Sequence, residues 1–165
     1  MMADLVDAVT RSRMMSGIRA KNTQPELVVR RLLHACGFRF RLHRKDLPGN
    51  PDIVLPRYRA VILIQGCFWH RHEDCRYATT PKTRPEFWGP KFSSNIQRDT
   101  RNEAKLRQAG WRIGRIWECA IRRDPEAVAA HLAVWLPSKS PSLDVGAKDG
   151  ISVVNVVEYG EIIET

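Results

Sequence analysis

AVILIQGCFWHRHEDC, residues 60–75, decides how the rest of the chain is read. Its first part, Ala60–Ile64, is an apolar run of the length of a buried strand. The run breaks at Gly66, and Cys67, Phe68, Trp69, His70, His72 and Cys75 follow at once. A strand that empties into thiols, imidazoles and two aromatic rings predicts a functional site at its end rather than a plain connection.

Upstream, Asp52-Ile53-Val54-Leu55 predicts a second strand that opens on a carboxylate, entered through the tight turn Leu47-Pro48-Gly49-Asn50-Pro51. Phe38 to His43 alternates apolar and basic residues, which predicts a half-buried strand with one cationic face. Before it, Thr23 and Glu26 form an S/T-x-x-E box with Pro25 in the first turn, so a helix starts here, and Gly37 ends it. Leu27, Val28, Leu32, Leu33 and Cys36 carry the helical spacing, Cys36 as a small buried side chain, while Arg30 and Arg31 need an exposed edge. As a capping residue, Glu26 already has a sufficient structural role. Residues 1–22 place Arg11, Arg13, Arg19 and Lys21 around Met14-Met15 and read, on composition, as a solvated terminus.

Downstream, Arg76 to Pro90 lacks periodicity and contains three prolines, which predicts a basic loop presenting Phe87 and Trp88 as a lid or to a partner. Lys91 to Ala109 predicts a polar helix with Phe92 and Ile96 toward the core and Asn95, Asp99 and Asn102 along a neighbouring stripe. Gly110 stops it. Trp111 to Trp117 predicts a strand that delivers Glu118 and Cys119 to its end, and Asp124 to Leu136 a helix capped by Asp124 with Pro125 at its start. Pro137 to Pro141 reads as a linker, and the remainder as an appended strand or hairpin or a loose tail. These elements predict an α/β domain: a central mixed sheet flanked by helices.

A chain of 165 residues, 43% hydrophobic, suits one domain with a real core. No stretch approaches a membrane span, and the N-terminus lacks a basic-then-apolar leader, so the expectation is a cytoplasmic protein away from membranes. The net charge is +9; five acids and Lys148 fall from Asp144 onward, so that part is −4 and residues 1–143 hold +13. Such a basic body attracts polyanions by releasing their counterions, which makes nucleic acid the leading partner class. In that compartment the four cysteines do not predict a disulfide framework, and their clustering matters more.

Two constellations carry chemistry. Cys67, His72 and Cys75, with Cys119 at the end of a later strand, match a tetrahedral zinc site built from a local knuckle and a distant ligand, and His70 and His72 leave one histidine spare. Asp52 and the Ile64-Gln65-Gly66 strand end are placed as in PD-(D/E)xK nucleases, where acids on neighbouring strands hold Mg²⁺ at a scissile phosphate. Pro51-Asp52 fits the first half of that pattern; Gln65 stands in place of the second acid, and no lysine follows.

Taken together and in order, Pro48-Gly49-Asn50-Pro51-Asp52, Gly66-Cys67-Phe68-Trp69-His70-x-His72, Glu86-Phe87-Trp88, Asn95 with Arg98-Asp99, Gly110-Trp111-Arg112 and Trp117-Glu118-Cys119-Ala120 closely resemble the very-short-patch-repair (Vsr) mismatch endonucleases. The similarity runs from about Thr10 to Leu136. It implies a restriction-endonuclease-like fold and a Mg²⁺-dependent nick 5′ of the thymine in a T:G mismatch, the product of 5-methylcytosine deamination. By position, Asp52 and the Ile64 backbone carbonyl match the Mg²⁺ site. His70 matches the catalytic histidine, oriented by Asp99, and Glu26 an active-site glutamate. Cys67, His72, Cys75 and Cys119 match structural Zn²⁺ ligands. Phe68, Trp69 and Trp88 match aromatic residues that wedge into the duplex, and Met15 a methionine on a DNA-contacting arm, residues 1–22. Asn95 is counted with these DNA-binding residues.

An aromatic wedge unstacks bases at a cost lowest beside a mismatch, which turns weak pairing into selectivity. Gln65 stands where relatives often have histidine, and one extra residue lies between His72 and Cys75. The resemblance leaves residues 137–165 without a role. It implies a monomer acting on double-stranded DNA of a bacterial nucleoid, with mismatch-repair proteins and a repair polymerase as further partners. The competing readings are a sequence-specific or restriction-associated nuclease of the same fold, and a zinc-stabilised DNA-binding module without catalysis.

Overall fold

In the computed structural model, which describes residues 21–147 and 150–154 together with 7, 9, 10, 12 and 13, the strands form one mixed sheet. In chain order the elements are α1 (Gln24–Ala35), β1 (Arg41–Leu42), β2 (Ile53–Leu55), a 3₁₀ turn (Pro56–Tyr58), β3 (Ala60–Gln65) and α2 (Pro85–Gln108). They continue as β4 (Arg112–Trp117), α3 (Glu118–Arg123), α4 (Pro125–Trp135), β5 (Ser142–Ala147) and β6 (Ile151–Val154). The sheet runs β1-β2-β3-β4-β5-β6, with β3, β4 and β5 mutually parallel and the outer pairings antiparallel. This is the expected α/β architecture.

Strand alternation divides the core. Ala60 and Ile62 point with Ile53, Leu55 and Ile116 toward α1, α3 and α4, where Val29, Leu33, Ala120, Val128, Leu132 and Trp135 meet them. Val61 points the other way, with Val54 and Ile113, onto Leu106 of α2 and Trp111. Because β3 is buried on both faces, it reads as a continuous apolar run rather than an alternating one. Among the described residues no helix is long and apolar enough to cross a membrane.

Several sequence expectations change. The strand expected over Phe38–His43 shrinks to Arg41–Leu42, because His43 adopts φ +46° and ends it, while Phe38 and Phe40 pack against the core edge. Helix α1 buries Glu26, Val29, Arg30 and Leu33, one i, i+3, i+4, i+7 face, so Leu27 is exposed and Cys36, beyond the last turn, is exposed as well. Arg30, expected at an edge, is 8% exposed because a carboxylate, an amide and an imidazole surround it. Helix α2 begins at Pro85 and carries Pro90 inside it, so the expected loop stops at Arg84. The carbonyl that Pro90 leaves without a donor belongs to the exposed Glu86, where water can serve it. The inward stripe of α2 is Phe92, Asn95, Asp99, Asn102, Glu103 and Leu106, which leaves Ile96 46% exposed.

Of the appended strand, hairpin or loose tail expected beyond Pro141, a hairpin of β5 and β6 forms, and it is built into the sheet rather than appended: Leu143 and Val145 of β5 are core residues. The Asp124 cap is as expected, its carboxylate accepting the Ala127 N–H at 2.9 Å. Met15 and residues 155–165 lie outside the described residues.

The turn before β2 is held by Gly49, at φ +73°, whose Cα faces Asn102 of α2; a Cβ there would lie 2.9 Å from the Asn102 amide nitrogen. Gly49→Ala should cost about 1–3 kcal/mol, the left-handed backbone and the clash together, read as a fall of a few degrees in Tm. An unchanged Tm would show that the turn has room to move.

Candidate active site and metal centre

The site forms where β3 ends and β2 begins, at one edge of the parallel core. Asp52 precedes β2, and its Oδ2 accepts the Ile64 backbone N–H at 2.7 Å. That bond ties the two strand ends together and leaves the second carboxylate oxygen without a protein partner among the described residues. Burial is the main reason the Asp52 pKa is pushed up to about 6; Glu26 adds to the rise, while the Ile64 N–H, Arg30 and His70 oppose it. The two acids are therefore close enough to repel, which is what a dication would relieve.

Glu26 sits on the first turn of α1 and serves two masters. Its Oε1 accepts the Thr23 hydroxyl at 3.0 Å and the Thr23 N–H at 3.4 Å, completing the capping box. Its Oε2 accepts the Asn22 N–H at 3.0 Å and Arg30 Nη2 at 2.6 Å. Ligand atoms of Glu26, His43 and Asp52 all lie within 4.8 Å of one another. His43 was not singled out from the sequence. Its position at the end of an alternating basic stretch was the available signal, but only the left-handed turn there swings the ring back to Glu26. The same ring meets Arg30 Nη2 at 3.0 Å. Burial, and then the Arg30 charge, hold the His43 pKa down, so the neutral ring accepts that bond.

His70 lies in the tight turn after Gly66, its N–H donating to the Gly66 carbonyl at 3.1 Å. Its Nδ1 meets Asp99 Oδ2 of α2 at 2.5 Å, and Arg98 holds the other Asp99 oxygen at 3.1 Å. Burial works against the Asp99 carboxylate, but the His70 and Arg98 interactions outweigh it and leave its pKa below the ordinary value. The Asp99–Nδ1 contact fixes the ring and leaves Nε2 as its working nitrogen. One turn earlier on α2, Asn95 is buried and donates to the Trp69 carbonyl at 3.1 Å. The expected Asn95–Asp99 stripe thus grips the 66–72 turn at two points.

The aromatic residues cluster on the same turn. Phe68 sits edge-on to Trp69, Trp88 and Phe92, with ring centroids 5.0–5.5 Å apart. Trp88 is buried, Phe68 and Trp69 are half-buried, and Phe87, 46% exposed, covers Trp88. The rings make one edge-packed body rather than isolated side chains, which keeps their ordering cost low when they meet another flat group.

Behind the turn, the ligand atoms of Cys67, His72, Cys75 and Cys119 also fall within 4.8 Å of one another. His72 Nδ1 lies 3.7 Å from Cys67 Sγ and 3.3 Å from Cys119 Sγ. Burial, with Cys75 beside them, pushes the Cys67 and Cys119 pKa values up. Three sulfurs and one imidazole nitrogen converging in a buried space are mutually repulsive as thiolates and fit a tetrahedral dication well. Cys36 takes no part.

The family model described as DNA mismatch endonuclease Vsr matches residues 3–77. The type II nicking enzyme V.XorIIP of Xanthomonas oryzae pv. oryzae is 50% identical over 131 residues, 79% of this chain and 95% of that protein. The DNA mismatch endonuclease Vsr of Escherichia coli is 39% identical over 148 residues, 87% of this chain and 94% of its own length. Among solved structures, the homing endonuclease I-Bth0305I catalytic domain has a TM-score of 0.45 at 18% identity, covering 67% of this chain and 91% of that one.

Proposed function

The chain belongs to the Vsr family of DNA mismatch endonucleases, and from that premise we propose that it nicks duplex DNA 5′ of the thymine of a T:G mismatch by Mg²⁺-assisted hydrolysis. The observation that carries the reading is that Asp52, tied to the Ile64 backbone N–H, lies within electrostatic reach of the Asp99-held His70.

Asp52 and the Ile64 carbonyl would hold Mg²⁺, which when bound neutralises charge on the scissile phosphate and makes water a better nucleophile at neutral pH. Glu26, kept oriented by Thr23, Asn22 and Arg30, adds negative charge beside Asp52. His70 Nε2 takes or relays the proton of the attacking water, and Asp99 keeps the ring in the tautomer that can do so. The products carry a 3′-hydroxyl and a 5′-phosphate. Phe68 and Trp69 enter the duplex beside the mismatch; Trp88, expected to enter with them, is buried under Phe87 and backs the wedge instead. Asn95 braces that turn through the Trp69 carbonyl, and Met15 on the arm of residues 1–22 contacts the bases. Cys67, His72, Cys75 and Cys119 would hold a structural Zn²⁺ that fixes the turn from behind. The protein works as a monomer on cytoplasmic DNA, upstream of a repair polymerase.

The test is a labelled duplex with one T:G pair and its matched control, with and without Mg²⁺. Nicking confined to the mismatched strand 5′ of T, and only with Mg²⁺, is the expected result. Equal cutting of both duplexes would overturn the mismatch reading. A second reading, sequence-specific nicking, is favoured by the name of the 50% identical relative; under it, cutting of a substrate panel follows flanking sequence rather than the mismatch.

A further inference from the structure

Residues 142–147 have no assigned role, yet Gly146 and Ala147 touch the four-residue Cys/His cluster and Asp144 reaches it through Trp117. Asp144 Oδ1 accepts Trp117 Nε1 at 2.9 Å, and its other oxygen is held by Arg115 at 2.8 Å. So anchored, the Trp117 ring stacks on His72 with centroids 4.1 Å apart and planes 9° from parallel. Gly146 closes the other side: a Cβ there would lie 2.8 Å from His72 Cε1 and 2.9 Å from Nε2. Next in sequence, the Ala147 N–H donates to Cys119 Sγ at 3.3 Å.

We infer that β5 is a working part of the metal centre, with Gly146 and Asp144 positioning the His72 imidazole and the Ala147 amide supporting the Cys119 sulfur. The inference rests on the metal-holding reading of Cys67, His72, Cys75 and Cys119.

The His72 ring is confined. His72 presents Nδ1 to the cluster, so its face and its far edge are what the rest of the fold can fix. Trp117 takes the face, and the bare Cα of Gly146 takes the edge. Without metal, a methyl at 146 is accommodated by a small swing of the ring, because the end of a side chain moves cheaply. The Trp117 stack holds the ring face in either state; with metal bound, Nδ1 would be held as well, so the same push would fall on the metal contact. Outer partners of metal ligands typically govern about 10- to 100-fold in affinity. The hairpin partner keeps the strand from yielding, since Gly146 is paired with Ser152 of β6.

The experiment compares full-length wild type, Gly146→Ala, Trp117→Leu and the control Gly150→Ala, whose added Cβ meets nothing within 4 Å. Each protein is titrated with Zn²⁺ against a chromogenic chelator, and with Co²⁺ to read the ligand-field bands of the centre. Gly146→Ala should lose about tenfold to hundredfold in affinity and shift its Co²⁺ bands, while its melting curve in chelator matches wild type. Trp117→Leu, which removes the stack without adding bulk, should weaken binding in the same direction, and Gly150→Ala should match wild type. Wild-type affinity and bands in both Gly146→Ala and Trp117→Leu would overturn the inference while leaving the centre itself intact. If wild type takes up neither ion, the cluster reading falls and the inference with it.

Discussion

Asp52→Asn should abolish nicking and at the same time make the protein more stable. The loss follows from removing the only charged oxygen that Asp52 leaves free for a cation, while the amide oxygen can still accept the Ile64 N–H. The gain follows from the pKa. In the folded chain the Asp52 carboxyl titrates at about 6, against 3.8 for its ordinary value, so the native state binds that proton more tightly than the unfolded one does. The cost of ionising it is absent below 3.8, grows as pH rises, and is fully present above 6. Two units correspond to about 3 kcal/mol, and because the side chain is only partly shielded, about 1–3 kcal/mol is a fair range for the relief given by Asn.

For a protein of this size that is roughly 4–8 °C in Tm at pH 8 for a mid-range value, shrinking to nothing near pH 4. Scanning calorimetry at both pH values checks it, and an equal or lower Tm at pH 8 would sink the idea. In the wild type, nicking should fall as pH drops through about 6. That inflection should move lower as Mg²⁺ is raised, because proton and cation compete for one carboxylate.

His70→Ala should lower the nicking rate by about 10²- to 10⁴-fold, the range over which a positioned proton-transfer group acts. In the proposed mechanism Asp99 acts only through the imidazole, at 2.5 Å from Nδ1, so Asp99→Asn should cost less alone. The double variant His70→Ala/Asp99→Asn should be no slower than His70→Ala, since with the ring gone the carboxylate has nothing left to orient. Rates on a T:G duplex under saturating Mg²⁺ measure all three. Costs that multiply in the double variant would mean that Asp99 acts independently of His70. Asp99→Asn should also alter the pH profile of the rate, which a purely structural loss would not.

Much of this site is legible in the chain because its parts are local. Cys67, His70, His72 and Cys75 lie on one turn, so the candidate ligands stand together in the sequence, and the resemblance to the family separates the expected ligand His72 from the expected base His70. Asp52 is readable because Pro51 and the turn before it place a carboxylate at a strand's start. What could not be read is what other elements bring. Arg30 looked like a surface residue because helical periodicity counts it among exposed positions, and only Glu26, Asn22 and His43 around it make burial tolerable. Ile96 looked inward because it lies four residues from Phe92, but the stripe that meets the turn is set by Asn95 and Asp99 gripping Trp69 and His70.

By itself the sequence determined the kinds of element, the family and the atoms that could bind metal or move a proton, since periodicity, capping and local spacing are properties of neighbours along the chain. The tertiary structure decided which of those atoms converge. It set Asp52 against Ile64 and Asp99 against His70, and it seated a glycine of a C-terminal strand against the imidazole of a turn more than seventy residues earlier. Such contacts depend on strand register and helix rotation, where one residue of slip sends a side chain to the opposite face. AVILIQGCFWHRHEDC announces a site; the elements around it supply partners for Ile64, Trp69, His70 and His72.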